Sequence, residues 1–272
     1  MRFTETLAAS ARKNNSLLCV GLDPDPARLP LSLRRQGEKG LYAFCRAIVD
    51  ATADLVCTFK PQIAYFAACR AENALEDLIA YIHRQYPDIP VILDAKRGDI
   101  GATAQKYALE AFERYRADAV TVNPYMGSDS IEPYLDYPEK GVFLLCRTSN
   151  PGGGDLQELK TQDGDALFER VARLASEQWN HSGQCGLVVG ATRPEEIARV
   201  RALTGNLPIL APGIGAQGGD IEAAVRMGKT PDGFGLILNS SRAILYASEQ
   251  DNFSAAARAV AEATRAAINQ YR

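Results

Sequence analysis

Short apolar runs rich in Val, Ile and Leu recur eight times along the 272 residues, each followed by a segment with helical patterning. The runs lie at 17–23, 56–60, 90–96, 119–123, 141–146, 186–190, 208–211 and 235–239. Helices are expected at 38–54, 70–86, 102–116, 128–136, 163–181, from Pro194 onward, and at 220–227 and 253–269, with a further one at 3–14 ahead of the first strand. Near-continuous apolar strands are those buried on both faces, as in parallel sheets flanked by helices. No shift in composition marks a linker. Eight βα units in a row therefore predict an α/β fold, a (β/α)8 TIM barrel, with residues 1–272 forming one domain. The competing architecture is an open doubly wound sheet. Its glycine-rich phosphate turn normally follows the first strand, whereas Gly21-Leu-Asp-Pro-Asp-Pro26 lacks that fingerprint and the glycine-rich turns come late.

A net charge of −3 argues against nonspecific nucleic-acid binding, and 46% hydrophobic residues supply a sizeable core. The six cysteines are scattered and form no C-x-x-C pair, which reads as buried free thiols in a reducing compartment. With no signal-like apolar stretch near the N-terminus and no run long enough to span a membrane, a cytoplasmic protein is expected.

Barrels keep their chemistry at the C-terminal strand ends. Those ends carry Asp23 on the first strand, Lys60 on the second, and Asp94 and Lys96 on the third, with Asp99 just beyond. In Val91-Ile-Leu-Asp-Ala-Lys-Arg-Gly-Asp-Ile100, period-two geometry puts Ile92, Asp94 and Lys96 on one face and Val91, Leu93 and Ala95 on the other. A single charge at a strand end is often only solvated. Five on three neighbouring strands point to a site, because alternating opposite charges keep one another ionised and form a fixed array. Such an array suits protonation, or stabilisation of developing negative charge.

Two loops add to this picture. Pro212-Gly-Ile-Gly-Ala-Gln-Gly-Gly219 and Asn239-Ser-Ser-Arg242 follow the seventh and eighth strands, where barrels commonly bind phosphate. Glycines let backbone N–H groups approach an anion, and Arg242 can pair with phosphate oxygens. Thr148-Ser-Asn-Pro-Gly-Gly-Gly154 is longer than an ordinary βα turn, so it reads either as a surface loop or as a lid over a polar ring. His83 and His181 fall in expected helices away from any cluster. No metal-ligand grouping, nucleophile triad or Walker motif is present.

The D-x-K-x-x-D-I pattern of Asp94-Ala-Lys-Arg-Gly-Asp-Ile100, preceded by Phe59-Lys60-Pro-Gln62, resembles the orotidine 5′-phosphate decarboxylases, in particular their longer bacterial branch. The resemblance extends to Gly21-Leu-Asp23, Thr148-Ser149, Pro212-Gly-Ile-Gly-Ala-Gln217 and Arg242. It implies cofactor-free conversion of orotidine monophosphate to uridine monophosphate and CO2, the last step of pyrimidine nucleotide synthesis. Loss of CO2 from a ring carbon without an imine or metal sink leaves a localised carbanion, so Lys96 is expected to supply both the charge and the proton. Asp94 would face the departing carboxylate, and Lys60 and Asp23 the ribose. Ser149 and Gln217 would bind the pyrimidine and Arg242 the phosphate, with Thr103, Thr148, Pro212, Gly213 and Ser241 as further substrate contacts. Asp99 would reach the site of a second subunit in a homodimer. Two other functions share the barrel: a sugar-phosphate enzyme using Mg²⁺ to hold an enediolate, and a barrel that only senses a phosphorylated ligand. Lys60 and the Thr148-Ser149 loop favour the nucleotide over the first. The alternating charges, for which a sensor has no need, weigh against the second.

Overall fold

Alternation along each strand, not length, decides which side chains meet inside this molecule. In the computed structural model, which describes residues 1–214 and 219–272, β1 (Leu18–Leu22), β2 (Thr58–Pro61), β3 (Ile92–Arg97), β4 (Ala119–Val122), β5 (Gly141–Arg147), β6 (Cys185–Val189), β7 (Ile209–Pro212) and β8 (Leu236–Ser240) form one parallel sheet. Its order is β2-β1-β8-β7-β6-β5-β4-β3. β2 and β3 close the ring through the parallel bridges Phe59 to Val91 and Gln62 to Asp94. The expected barrel is the observed fold, each strand within a few residues of its expected position.

Val20, Leu93, Val120, Leu144, Leu187, Ile209 and Leu238 point outward into the layer beneath the helices. Their neighbours Cys19, Ile92, Phe143, Val188, Leu210 and Ile237 point inward and fill the lower barrel. The same period-two rule places the residues one step higher, Asp94 above Ile92, Thr121 above Ala119 and Asn239 above Ile237, in a polar inner layer near the mouth. The helices fit the outer layer by their own period. In Glu38–Thr52 the buried residues Leu41, Phe44, Cys45, Ile48, Val49 and Thr52 recur at steps of three and four, a single stripe. The N-terminal helix Phe3–Lys13 instead seals the bottom. Phe3 meets Phe143 edge-on with ring centroids 5.7 Å apart, a geometry worth about 0.5–1.5 kcal/mol beyond its buried area.

Helix ends depart from expectation where turns intervene. The helix expected over 163–181 runs only from Leu167 to Glu177, because Gly164 turns at φ +85° and Lys160 bridges Ala166 ahead of it. His181 consequently sits in a turn. The segment after β3 is α-helical over Gly101–Leu109 and continues as a π turn, Glu110–Arg114. Residues 128–136 divide into a 3₁₀ turn and the single α turn Glu132–Leu135. The six thiols are free, and five are buried. Burial pushes Cys19 and Cys185 up to about 12, so neither is a ready nucleophile at neutral pH. Among the described residues, no helix is long and apolar enough to cross a membrane.

Candidate active site

Lys60 enters the site at the end of β2, its Cα paired with that of Gly21 on β1. Its ammonium donates to Asp94 Oδ2 at 3.0 Å, and both side chains are almost entirely withdrawn from water. The other oxygen, Oδ1, accepts from Lys96 Nζ at 2.6 Å and from Thr121 Oγ1 at 2.8 Å. Burial by itself would raise the Asp94 pKa, but the two ammonium groups overcome it and hold the carboxyl far below its ordinary value. Burial likewise opposes the charge on Lys60, and Asp94 with Asp23 more than restores it, so its pKa lies above normal. Asp94 is thus an anion saturated by donors. The Lys96 side chain, 44% exposed, carries its charge to the open mouth.

Thr121 was legible in sequence only as a strand former, yet it organises the end of β3. The step from Leu93 to Arg97 on β3 faces only the step from Val120 to Val122 on β4, so β3 bulges across Asp94, Ala95 and Lys96. There Lys96 adopts φ +47°, a left-handed conformation that costs a side-chain-bearing residue about 1–2 kcal/mol. Within the bulge the N–H groups of Ala95 and Lys96 both donate to Thr121 Oγ1, at 3.0 and 2.9 Å. The threonine hydroxyl stands in for the ladder acceptor that the bulge removed. Arg97, between the two motif halves, faces away and binds Glu110 through two N–H donors, each at 3.0 Å.

Asp23 lies one residue past β1, and its Oδ1 is buried without a hydrogen-bond partner among the described residues. Asp99 does not join the array within this chain; its Oδ1 accepts from the Ile100 N–H at 2.8 Å. Thr103 is exposed on the first turn of the following helix. Sequence reasoning grouped Asp99 with Lys60, Asp94 and Lys96, and the fold of one chain brings together only the last three.

The 148–154 loop is braced from below by Arg147, a residue that sequence reading did not single out. Its side chain is 1% exposed and forms ion pairs with Glu158 and, at 2.8 Å, with Glu196. Gln157 Oε1 accepts from the Thr148 N–H at 2.9 Å, and Gln157 Nε2 donates to Thr148 Oγ1 at 2.9 Å. Ser149 packs on Gly190, where a Cβ would come within 2.8 Å of the serine Cβ. The residue at 190 must therefore be glycine for the loop to lie as it does.

Beyond β7, Pro212 ends the strand and Gly213 turns at φ +110°. The Gly219 N–H donates back to the Gly213 carbonyl at 3.1 Å, so the neck of this loop is closed. Gln217 lies outside the described residues. Ser241 precedes the short helix Arg242–Leu245 and accepts from Asn239 Nδ2 at 3.3 Å. The Arg242 side chain is exposed, with no hydrogen bond or ion pair of its own among the described residues. Also among the described residues, no three His, Cys, Asp or Glu side chains gather as a metal-ligand set.

A family model described as orotidine 5′-phosphate decarboxylase / HUMPS family matches residues 16–259. The orotidine 5′-phosphate decarboxylase of Dechloromonas aromatica (strain RCB) is 68% identical over 272 residues, which is all of both chains. Among solved structures, Leishmania donovani UMP synthase matches with a TM-score of 0.89 at 41% identity, over all of this chain and 56% of that longer one. Leishmania donovani OMP decarboxylase matches with a TM-score of 0.84 at 40% identity, over 98% of this chain and 99% of the other. Matched over most of its length by the family and alike to its members in sequence and in fold, the chain belongs to the orotidine 5′-phosphate decarboxylase / HUMPS family.

Proposed function

We propose that this chain is a carboxy-lyase, one domain that converts orotidine 5′-monophosphate to uridine 5′-monophosphate and CO2 in pyrimidine synthesis, in the cytoplasm and without a cofactor. The observation that carries the reading is the Lys60-Asp94-Lys96 cluster at the barrel mouth, two cations fixed on one buried anion. Decarboxylation at a ring carbon breaks the carbon–carboxylate bond and leaves its electron pair on that carbon. Lys96 is the half-exposed cation of the cluster, and in this reading its ammonium stabilises the pair and then transfers a proton to it. Asp94, held ionised by its donors, faces the leaving carboxylate. The unused Oδ1 of Asp23, together with Lys60, receives ribose hydroxyls, and Thr148 and Ser149 meet the pyrimidine with Gln217. Pro212, Gly213, Ser241 and Arg242 take the phosphate end.

Asp99 acts, in this reading, on the site of a second copy of the chain, with Thr103 beside it. Its position past the strand end, outside its own cluster, supports that assignment. Cofactor independence is supported by the saturation of Asp94, both of whose oxygens already accept from ammonium groups, with a threonine added on one. The test is ultraviolet monitoring of orotidine monophosphate loss by the purified protein with EDTA present. Turnover unchanged by the chelator is expected. Activity lost in EDTA and restored by Mg²⁺ would shift the assignment to a metal-assisted sugar-phosphate reaction, and tight nucleotide binding without turnover would leave only a sensor.

A further inference from the structure

We infer that Thr121 is a positioning residue for the reaction, setting Lys96 and Asp94 in register with each other through one hydroxyl group. The inference rests on the assignment of Lys96 and Asp94 as the reacting pair. A hydroxyl has one proton and two lone pairs, and all three are committed here. The proton goes to Asp94 Oδ1, and the lone pairs take the N–H groups of Ala95 and Lys96. The contact to Asp94 fixes the carboxylate that Lys96 Nζ binds, while the contacts to the backbone fix the left-handed turn from which the Lys96 side chain starts. One atom on β4 therefore sets both ends of the 2.6 Å Lys96–Asp94 contact. No other side chain among the described residues bonds the backbone N–H groups of this bulge.

The consequence differs from that of an ordinary buried hydrogen bond. Removing the hydroxyl orphans two backbone donors and one carboxylate lone pair together, and the bulge loses what offsets its left-handed residue. The phosphate and pyrimidine contacts lie on other strands, so ground-state binding is spared. The deficit falls on the chemical step, where a displacement of about 1 Å can cost about a hundredfold.

The test compares Thr121→Val, which keeps shape and removes the hydroxyl, with Thr121→Ser, which keeps the hydroxyl. Thr121→Val is expected to lower kcat about tenfold to a hundredfold with KM changed less than about twofold, and Thr121→Ser to restore most of kcat. A purely structural threonine would lower the unfolding midpoint in Thr121→Val and leave kcat per folded molecule at the wild-type level, which would overturn the inference. Should Thr121→Val not fold, Thr121→Ala against Thr121→Ser carries the same contrast, and equal kcat in those two would overturn it equally. Lys96→Ala is measured in parallel. An inactive Lys96→Ala beside a fully active Thr121→Val refutes the positioning role alone, whereas an active Lys96→Ala refutes the reading of the site beneath it.

Discussion

Lys60 Nζ and Asp94 Oδ2 lie 3.0 Å apart with only 4% and 9% of their side chains exposed, so each is the other's main compensation for lost water. Breaking such a pair by removing one partner leaves the other charge buried, at a cost of about 3–5 kcal/mol. Asp94→Asn is therefore expected to lower unfolding free energy by that amount at pH 7. The Asp94 pKa is depressed by folding, so its contribution is present above the unfolded carboxylate value and is lost as pH falls toward the folded one. The gap between wild type and Asp94→Asn should then narrow below about pH 4. Urea unfolding of both proteins at pH 7 and pH 3 measures it, and a gap of constant size would show that the ionised carboxylate is not its source.

The Arg242 side chain stands exposed at the start of the short helix after β8, without a partner of its own among the described residues. Arg242→Ala should leave stability nearly unchanged and lower kcat/KM by about 1.5–3 kcal/mol, the worth of a hydrogen bond to a charged group. A substrate lacking the phosphate should be handled almost equally by mutant and wild type. An equal loss with the truncated substrate would make Arg242 a structural residue.

Arg147 under the 148–154 loop leads to a different expectation. Arg147→Met fills the space but leaves Glu196 with only its longer 3.7 Å contact to Arg193, so destabilisation of about 1–3 kcal/mol is expected. Thr148 and Gln157 then lose the residue beneath them, and the loop should be cut faster in limited proteolysis at concentrations where the barrel stays folded. Unaltered cleavage over 148–159 would show that the loop holds itself.

The assignment of Asp99 to a second subunit has a direct genetic form. Lys96→Ala and Asp99→Ala are each expected to be inactive alone. After subunit exchange, a mixed dimer holds one site with both defects and one with neither, so activity should return in up to about half of the mixed-dimer sites. Exchange without recovery would return Asp99 to its own chain's site.

The barrel was legible because parallel strands buried on both faces leave uninterrupted apolar runs, and all eight are found in order. Lys60, Asp94 and Lys96 were legible because charge at the end of an apolar strand is costly without a partner. Thr121 was not, since threonine in Ala119-Val-Thr-Val122 is what strand propensity alone would select. Its role depends on the bulge opposite, and nothing in the D-A-K-R-G-D run announces that Lys96 turns left-handed. Arg147 was missed for a related reason. Its acidic partners lie 11 and 49 residues onward, and only the docking of two separate segments on the strand end makes it a buried ion.

The ring of strands is not uniformly joined. β2 meets β3 through two isolated bridges and a Phe59 N–H to Pro90 carbonyl bond of 3.3 Å, while the other neighbours share ladders of paired residues, shifted in register only between β3 and β4 and between β5 and β6. Lys60 belongs to one side of that seam and Asp94 to the other. The pair that would serve catalysis is thus also a clasp across the least zipped joint of the cylinder, a contact made by charge where backbone pairing is sparse. Selection for a changed reaction at these two positions acts at the same time on how often the wall opens, so chemistry and breathing at this joint cannot evolve independently.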